Sequence, residues 1–466
     1  MPEYLAPGVY VEEIPSAIKA IAGVSTSVAG FIGVVPEDLN LPLTPVVNQE
    51  IGKGDGNKIQ FTLGNYKVKT EPNSYQFSVG GEDTTATATL SFDDAKRISL
   101  VTFTAPPAEN AVINGSYQPL FLPVAVGAVK LCTNFSEFKK FFGDFSTNTD
   151  QRLLVHAVYG FFNNGGSRCY VMRVNQAADI TVEFLERTFE PIDEIAIVAA
   201  PGIVQANVRD AIIIHCRQKT QDRFAIFDSP ETVESDGNLD LTKLSRSNTA
   251  NVLPNNSDYA AFYFPWIEVF DPATKTNIYV PPSGHLAGIY ARVDTAIGVH
   301  KAPANEVILG ALGLKYNISK AQQQGLNPQG VNCIRNLNGN FLVWGARTIA
   351  EDTKQDLKYI NVRRTLLYLR ESIDEGTQWV VFEPNTPDLW KRIIRNVSDF
   401  LTVVWRSGAL FGNTPQEAFY VKCDAEKNPP EERELGRVIT EIGVAIVRPA
   451  EFVIFRISQI TANTSS

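Results

Sequence analysis

The fold is decided by residues 194–227, which read EIAIVAAPGIVQANVRDAIIIHCRQKTQDRFAIF. The apolar run 194–200 predicts a buried strand, and Pro201-Gly202 predicts the turn that follows it. Residues 204–218 have the length and pattern of a helix, and residues 223–227 form a second apolar strand. Short apolar strands on both sides of a helix are typical of a parallel sheet that is covered on both faces. The segment therefore predicts an α/β fold.

The α/β pattern extends in both directions from this segment. Thr133 or Asn134 can cap a helix that Gly143 ends. The further predicted elements are a strand at 28–32, helices at 135–142 and 152–162, a strand at 169–174, a strand at 260–270, a helix at 285–297 and a hairpin turn at Asn338-Gly339.

Residues 46–120 differ from the rest of the chain in composition. They are rich in Thr, Gly, Asn and Asp, and they contain alternating apolar runs at 59–63, 75–79 and 98–100. Gly80-Gly81 supplies a turn. Short strands with close turns predict a small β-rich domain that is inserted into the body and lies at its outer surface.

The last third of the chain is predicted to be a separate α+β unit. Its predicted elements are helices at 353–375 and 388–405 and strands at 379–382, 419–423 and 441–447. The helix at 388–405 is amphipathic, since its apolar residues recur at helical spacing. Its opposite face carries Lys391, Arg392 and Arg395.

Both ends of the chain predict strands that have no neighbouring strand in the sequence. Aromatic and β-branched residues in short runs between Pro and Gly are the signal for a strand. A lone strand leaves its backbone groups unpaired, so such ends favour strand addition to neighbouring molecules. The residues predicted to form the two arms are Val9, Tyr10, Val11, Glu12 and Ile14 at the N-terminus, and Phe452, Val453, Ile454, Phe455 and Ile457 at the C-terminus.

We therefore predict an α/β protein with a mixed sheet core and flanking helices, an inserted all-β domain, and a C-terminal α+β assembly domain with strand-forming terminal arms. The predicted bounds are 1–22 for the N-terminal linker arm, 23–45 and 121–350 for the body, 46–120 for the inserted domain, and 351–466 for the assembly domain.

The composition is that of a folded, water-soluble protein. Of the 466 residues, 44% are hydrophobic and 20% are charged, and the net charge is -9. An acidic balance argues against nucleic acid as a direct partner. No stretch approaches the roughly 20 apolar residues that span a bilayer, so we expect no membrane insertion. No secretory signal is visible at the N-terminus.

Motifs for catalysis or cofactor binding are weak. The five cysteines are scattered without Cys-x-x-Cys spacing, which predicts buried thiols in a reducing compartment and synthesis in a cytosol. The glycine-rich run at 52–58 lacks the order of a phosphate-binding loop, and residues 236–240 lack the later ligands of a calcium loop. His215 is predicted to pack in the core. Asp228 follows a strand at the edge where an α/β sheet can bind a ligand, and this position alone is the argument for an active site.

Several motifs in one order resemble the contractile tail sheath proteins of phages and of related contractile injection systems. The resemblance covers nearly the whole chain apart from 46–120. The motifs are PGVYVEE at 7–13, FFNNGG at 161–166, YFPW at 263–266, PPSG at 281–284, KAPAN at 301–305, YINVRR at 359–364, QWVVFEPN at 378–385 and RPAEF at 448–452.

The resemblance implies a mechanical protein without enzymatic activity or cofactor. It implies six-fold rings that stack helically around an inner tube, with terminal arms that add strands to the C-terminal domain of neighbouring copies. The expected partners are other copies of the chain, an inner tube protein, and baseplate and terminator or cap proteins. The implied place is a phage tail or tail-like particle that is assembled in the bacterial cytoplasm.

The basic helix face then becomes a candidate surface for the tube. An ordinary solvated face explains Lys391, Arg392 and Arg395 equally well, whereas a positive patch would hold an acidic partner by salt-sensitive attraction. Arg363, Arg364 and Arg370 on the preceding helix are expected to add to the same unit. The function predicted for the whole chain is a contractile sheath subunit, and the alternatives are an α/β enzyme with an accessory β-domain or a static shell or tube protein.

Overall fold

A computed structural model describes residues 20–454 except 37–42, 44, 66, 72, 94, 95, 97, 121, 123 and 352–354. The chain divides into two compact units. We call residues 25–367 and 448–466 the larger unit, and residues 1–24 and 368–447 the smaller unit. The division falls within one helix, between Leu367 and Tyr368.

The helices of the described chain are α1 (Phe135–Phe142), α2 (Thr149–Asn163), α3 (Val182–Thr188), α4 (Ala206–Ile214), α5 (Ser283–Ala296), α6 (Lys320–Leu326), α7 (Ile360–Thr377), α8 (Pro387–Arg406), α9 (Pro415–Ala418) and α10 (Pro430–Glu434).

The strands are β1 (Ala29–Val34), β2 (Val46–Lys53), β3 (Gln60–Leu63), β4 (Tyr75–Val79), β5 (Glu82–Asp83), β6 (Ala88–Asp93), β7 (Ile98–Phe103), β8 (Val112–Tyr117), β9 (Val129–Cys132), β10 (Cys169–Val174), β11 (Ile197–Ala199), β12 (Phe224–Asp228), β13 (Glu234–Ser235), β14 (Asn238–Leu239), β15 (Ala260–Phe264), β16 (Ile267–Asp271), β17 (Thr276–Val280), β18 (Glu306–Val307), β19 (Gly313–Leu314), β20 (Val331–Leu337), β21 (Asn340–Val343), β22 (Phe419–Lys422) and β23 (Glu441–Val444).

The larger unit is built on a nine-stranded sheet in the order β18-β21-β20-β15-β12-β11-β1-β10-β9. The strands from β20 to β10 run parallel, and the flanking strands on both sides are antiparallel. Every residue of β11, β12 and β15 is buried. Such strands need cover on both faces, which explains why their sequences are apolar throughout rather than alternating. The predicted mixed α/β sheet is confirmed.

Local sequence signals explain where the helices of this unit begin and end. The Asn134 side chain accepts a hydrogen bond from the backbone N–H of Glu137 at 2.9 Å, which caps the first turn of α1. Gly143 ends that helix with a φ of 87°, in the left-handed region that favours glycine. Both capping predictions are confirmed.

The inserted segment forms two small sheets, β2-β8-β4-β5 and β3-β7-β6. They enclose a cluster of buried residues that includes Phe61, Phe77, Val101 and Phe103. The alternating sequence is matched by alternating burial, as β7 and β8 show. The predicted β-rich character of this segment is confirmed, and its assignment to an outer surface remains a prediction.

Some elements within the two units differ from the prediction. The strand predicted at 260–270 is two strands, β15 and β16, because Pro265 interrupts it and cannot donate to a ladder. The helix predicted from Thr353 begins at Ile360. The strand predicted at 379–382 is wrong, because residues 378–380 form a 3-10 turn and Phe382 adopts a φ of 67°.

The smaller unit has its own hydrophobic core. Amphipathic α8 contributes one buried stripe, which includes Ile393, Val397 and Leu401. The partly buried strands β22 and β23 pack against the same cluster through residues such as Phe419 and Val444. The helix predicted at 388–405 is confirmed, with one further residue at each end.

Candidate assembly interface

The C-terminal arm leaves the larger unit as an exposed apolar segment. Phe452, Val453 and Ile454 are 70%, 68% and 78% exposed. These three residues form no strand, so the predicted strand is absent over its described part. Phe455 and Ile457 lie outside the described residues, as do the N-terminal arm residues Val9, Tyr10, Val11, Glu12 and Ile14. Three consecutive exposed apolar side chains are a surface that favours association.

The smaller unit presents a sheet that can accept further strands. In the described part of the chain this sheet has two strands, β22 and β23, which pair antiparallel. The Ala445 N–H donates to the Ala418 carbonyl toward β22 at 2.8 Å. Because successive residues of an antiparallel ladder direct their backbone groups to opposite edges, Ile442 and Val444 direct theirs away from β22. A two-stranded sheet is marginal by itself, so added strands would stabilise it.

The basic residues of α8 differ in their surroundings. Lys391 is exposed and lies 3.6 Å from the Asp388 carboxylate. Arg392 donates to Glu383 at 3.0 Å and stacks over the Trp379 ring at 4.6 Å. Arg395 is exposed, and it has no ion-pair partner among the described residues. Arg395 is therefore the residue of this face whose charge is most available to a partner.

The expectation that Arg363 and Arg364 add to the unit that carries this basic face is wrong, whereas Arg370 lies in the smaller unit with α8. Arg363 pairs with Asp258, and Arg364 donates to both carboxylate oxygens of Asp294 at 2.9 and 2.6 Å. All four side chains are at most 12% exposed. These arginines are internal ion pairs of the larger unit, and their charge is neutralised there.

Glu451 at the root of the C-terminal arm is a residue that the sequence did not single out. Its carboxylate accepts from Arg347 through Nε and Nη2 at 2.8 Å each, from Asn327 at 2.7 Å and from Tyr359 at 2.8 Å. Burial alone would raise the pKa of Glu451, but these hydrogen bonds outweigh burial and hold the pKa below its usual value. We call these four residues the Glu451 cluster.

Asp228 does not form an open ligand site at the end of β12. It is buried, and its carboxylate accepts from the Ser283 N–H at 2.8 Å, the Ser283 hydroxyl at 2.6 Å and the Gly202 N–H at 3.1 Å. Burial raises its pKa to about 6. Asp228 joins the start of α5 to the turn after β11, which is a structural role.

The buried polar residues of the larger unit include His215 and His285. Burial lowers the pKa of His215 to about 3, with a further contribution from the Arg223 charge. Burial also lowers the pKa of His285 to about 3, with a further contribution from His156. The core position predicted for His215 is confirmed, and the five cysteines are buried free thiols as predicted.

The described residues contain no group of three or more His, Cys, Asp or Glu side chains that could hold a metal ion. None of the described helices is long and apolar enough to cross a membrane.

The chain is similar to tail sheath proteins over most of its length. Residues 181–349 match the family described as the phage tail sheath protein central domain, and residues 352–460 match the phage tail sheath C-terminal domain. The tail sheath protein of Burkholderia phage BcepMu is 28% identical over 204 residues, which are 42% of this chain and 42% of that relative. The chain matches between 31% and 55% of the length of this and two further curated relatives.

Solved sheath structures share the fold over nearly the whole chain. The contracted helical sheath of the anti-feeding prophage is 25% identical with a TM-score of 0.64, and the match covers 98% of this chain and 100% of that chain. The contracted PVC sheath complex of an extracellular contractile injection system is 24% identical with a TM-score of 0.66, and the match covers 99% of each chain. The chain belongs to the phage tail sheath protein family.

Proposed function

We propose that this chain is a structural subunit of a contractile sheath and that copies of it are joined by strand exchange. The observation that carries the proposal is the combination of an exposed apolar arm at Phe452–Ile454 with a two-stranded sheet whose outer edges have no partner in the described chain. The arm of one copy lacks a strand to pair with, and the sheet edge of another copy supplies it. The sheet edge in turn gains the arm as an additional strand.

Strand exchange of this kind gives links of useful strength. Each backbone hydrogen bond contributes roughly 0.5–1.5 kcal/mol net. Full burial of Phe452 or Val453, which are exposed in the single chain, contributes about 1.5–3 kcal/mol each. A few such residues form a link that holds while the bodies of neighbouring copies rotate.

Contraction then needs no nucleotide. In our proposal the extended sheath is a metastable assembly whose subunits gain contact area with one another when they contract. Weak contacts with an inner tube break while stronger contacts between subunits form, so contraction passes along the sheath and drives the tube forward. The free energy is stored during assembly.

The partners in this proposal are other copies of the chain in stacked six-fold rings, an inner tube protein, and baseplate and terminator or cap proteins. The exposed face of α8, with Lys391, Arg392 and Arg395, is the proposed surface for the tube. The particle is a phage tail or a phage tail-like injection system that is assembled in the bacterial cytoplasm. Lys391 and Arg392 already pair with carboxylates of α8 and of the turn before it. Arg395 is therefore the residue that contributes most to the attraction between this face and the tube.

The test is the substitution Phe452→Asp in the full chain. The wild type should form long cylinders by negative-stain electron microscopy, whereas the variant should remain a folded, unassembled protein, because a charge cannot be buried against an apolar edge. Phe270→Asp is the matched control, since Phe270 is also exposed but lies on β16. Normal cylinders from Phe452→Asp would contradict strand exchange through this arm.

A further inference from the structure

The C-terminal arm begins at a carboxylate that the body of the same chain holds tightly. Each carboxylate oxygen of Glu451 accepts two hydrogen bonds. Oε1 accepts from Arg347 Nε and from Asn327, and Oε2 accepts from Arg347 Nη2 and from Tyr359. A bidentate guanidinium–carboxylate pair fixes direction as well as distance, since both groups are planar.

Arg347 is itself held rigidly. Its third contact is from Nη1 to the Asn327 carbonyl at 3.0 Å. Its backbone N–H donates to the Asn332 side chain, whose amide donates back to the Arg347 carbonyl, both at 2.7 Å. Asn332 is fully buried on β20 of the central sheet. Tyr359 pairs with Arg347 through an isolated β-bridge. The cluster is therefore built on the main sheet and not on a surface loop.

The residues on either side of Glu451 are bound to the larger unit less tightly than Glu451 is. Arg448 pairs with Asp356, but these side chains are 55% and 91% exposed, so solvent screens the pair. After Glu451, residues Phe452–Ile454 are exposed and form no strand. Glu451 is thus the last residue of the described chain whose side chain forms hydrogen bonds with the larger unit.

A link between two copies works only if both of its ends are fixed. If the root of the arm rotated freely, Phe452–Ile454 would point in many directions. Binding to a second copy would then cost the entropy of fixing one of these directions. A root that is fixed before assembly lowers this loss. It also transmits a pull on the arm to the central sheet, because Arg347 and Asn332 connect the two.

We propose that Glu451 is a positioning residue for the contact between copies of this chain. The Glu451 cluster fixes the point and the direction at which the C-terminal arm leaves the larger unit, so that Phe452–Ile454 are presented to a second copy. This inference rests on the proposed sheath function and adds to it the residues that set the geometry of the link.

The first test measures the mobility of the C-terminal arm in the unassembled protein. A spin label at Ile454→Cys is selective, because the five native cysteines are buried. In the wild-type background the label should be restricted, and Glu451→Gln should make it mobile, since glutamine keeps the size of the side chain but loses the ion pair. Asp356→Asn breaks the neighbouring exposed pair and is the matched control, which should leave the label restricted. Equal label mobility in the wild type and Glu451→Gln would overturn the proposal.

The second test measures assembly of the same variants. Glu451→Gln should lower the yield of cylinders by about tenfold or more, Asp356→Asn should leave it unchanged, and circular dichroism should show that both retain their helices. Arg347→Lys keeps the charge without the bidentate geometry, and Tyr359→Phe removes one hydrogen bond. These two variants should give intermediate losses, and they keep the test valid if Glu451→Gln fails to fold.

The outcomes separate this inference from the proposed function. If Glu451→Gln has a mobile label but a normal yield of cylinders, the positioning role is overturned and the sheath function stands. The same holds if Glu451→Gln loses the yield of cylinders while its label stays restricted. Failure of the wild type to form cylinders under any condition would contradict the sheath function, and the label would still decide whether the Glu451 cluster holds the arm.

Discussion

The larger and the smaller unit contain sheets of opposite kinds. The nine-stranded sheet of the larger unit has buried central strands, and its parallel ladders are completed within the chain. The sheet of the smaller unit has two strands in the described chain, β22 and β23, and none of their residues is fully buried. The first sheet stabilises one chain, and in our proposal the second is completed by strands of other copies.

This difference separates stability from assembly. Apolar residues of the central sheet should determine the free energy of unfolding of one chain. Backbone groups at the edges of the small sheet should determine whether chains join. Substitutions in the two sheets are therefore expected to affect different measurements.

The largest effect is expected from Phe262→Ala on β15. Phe262 is fully buried, and truncation of a buried Phe lowers the free energy of unfolding by about 3–5 kcal/mol. Phe270→Ala is the same change at a side chain that is 52% exposed, and it should alter stability by about 0.5 kcal/mol or less. Urea denaturation of both variants measures the difference. Similar losses from the two would show that the central sheet does not dominate the stability of the chain.

Acid should remove the stability that the buried histidines contribute to the larger unit, which contains all four histidines of the chain. The pKa of His215 and of His285 is about 3 in the folded chain, against about 6.5 when unfolded. Between these values the unfolded state binds protons that the folded state does not, so stability is present above pH 6.5 and is lost as the pH falls. At pH 5 each histidine should cost about 2 kcal/mol.

The measurement is the free energy of unfolding between pH 7 and pH 4.5. In His215→Gln the slope should fall by about 1.4 kcal/mol per pH unit relative to the wild type. A slope that His215→Gln leaves unchanged would show that His215 is protonated in the folded chain.

The sequence predicted the central sheet well because its signal is local. Runs such as 194–200 and 223–227 are apolar throughout, and a strand buried on both faces requires that pattern. The run at 379–382 is equally apolar and aromatic, yet it forms no strand, because Phe382 lies exposed beside a 3-10 turn. A strand signal does not show whether a partner strand is present.

Charged residues were predicted less well, since their partners are distant in the chain. Arg363 and Arg364 have the pattern of a basic helix face, but their carboxylates come from Asp258 and Asp294. Glu451 pairs with Arg347, 104 residues away. A single sequence contains no signal for such pairs, so the exposure of a charge is known only after folding.

A proline at the open edge of the small sheet should block assembly without unfolding the subunit. The N–H of Val444 faces away from β22, so Val444→Pro removes no hydrogen bond of the existing ladder, and proline is tolerated at such edges. An added strand would lose one hydrogen bond and meet the proline ring, which should lower the yield of cylinders by roughly tenfold. Val444→Ala loses the side chain but keeps the N–H, so this control should still assemble. Equal yields from the two variants would mean that this edge accepts no strand.

The smallest effect is expected at the exposed face of α8. Arg395→Glu should weaken attachment of the inner tube by roughly two- to five-fold, and Arg392→Glu with Arg395→Glu by more, because exposed charges interact weakly in water. Ring formation should be unchanged, since in our proposal it depends on the sheet edge and the arm. Lys96→Glu reverses an exposed charge in the inserted segment and should leave the tube attached.

Salt dependence distinguishes this interaction from the apolar contacts. Co-expression with the tube protein of the same particle and counting of tube-filled cylinders by electron microscopy give the fraction attached at each salt concentration. The difference between Arg395→Glu and the wild type should disappear near 1 M salt, where screening acts over about 3 Å. If the difference persists at 1 M salt, or if Lys96→Glu has the same effect, attraction by the α8 face is not what holds the tube.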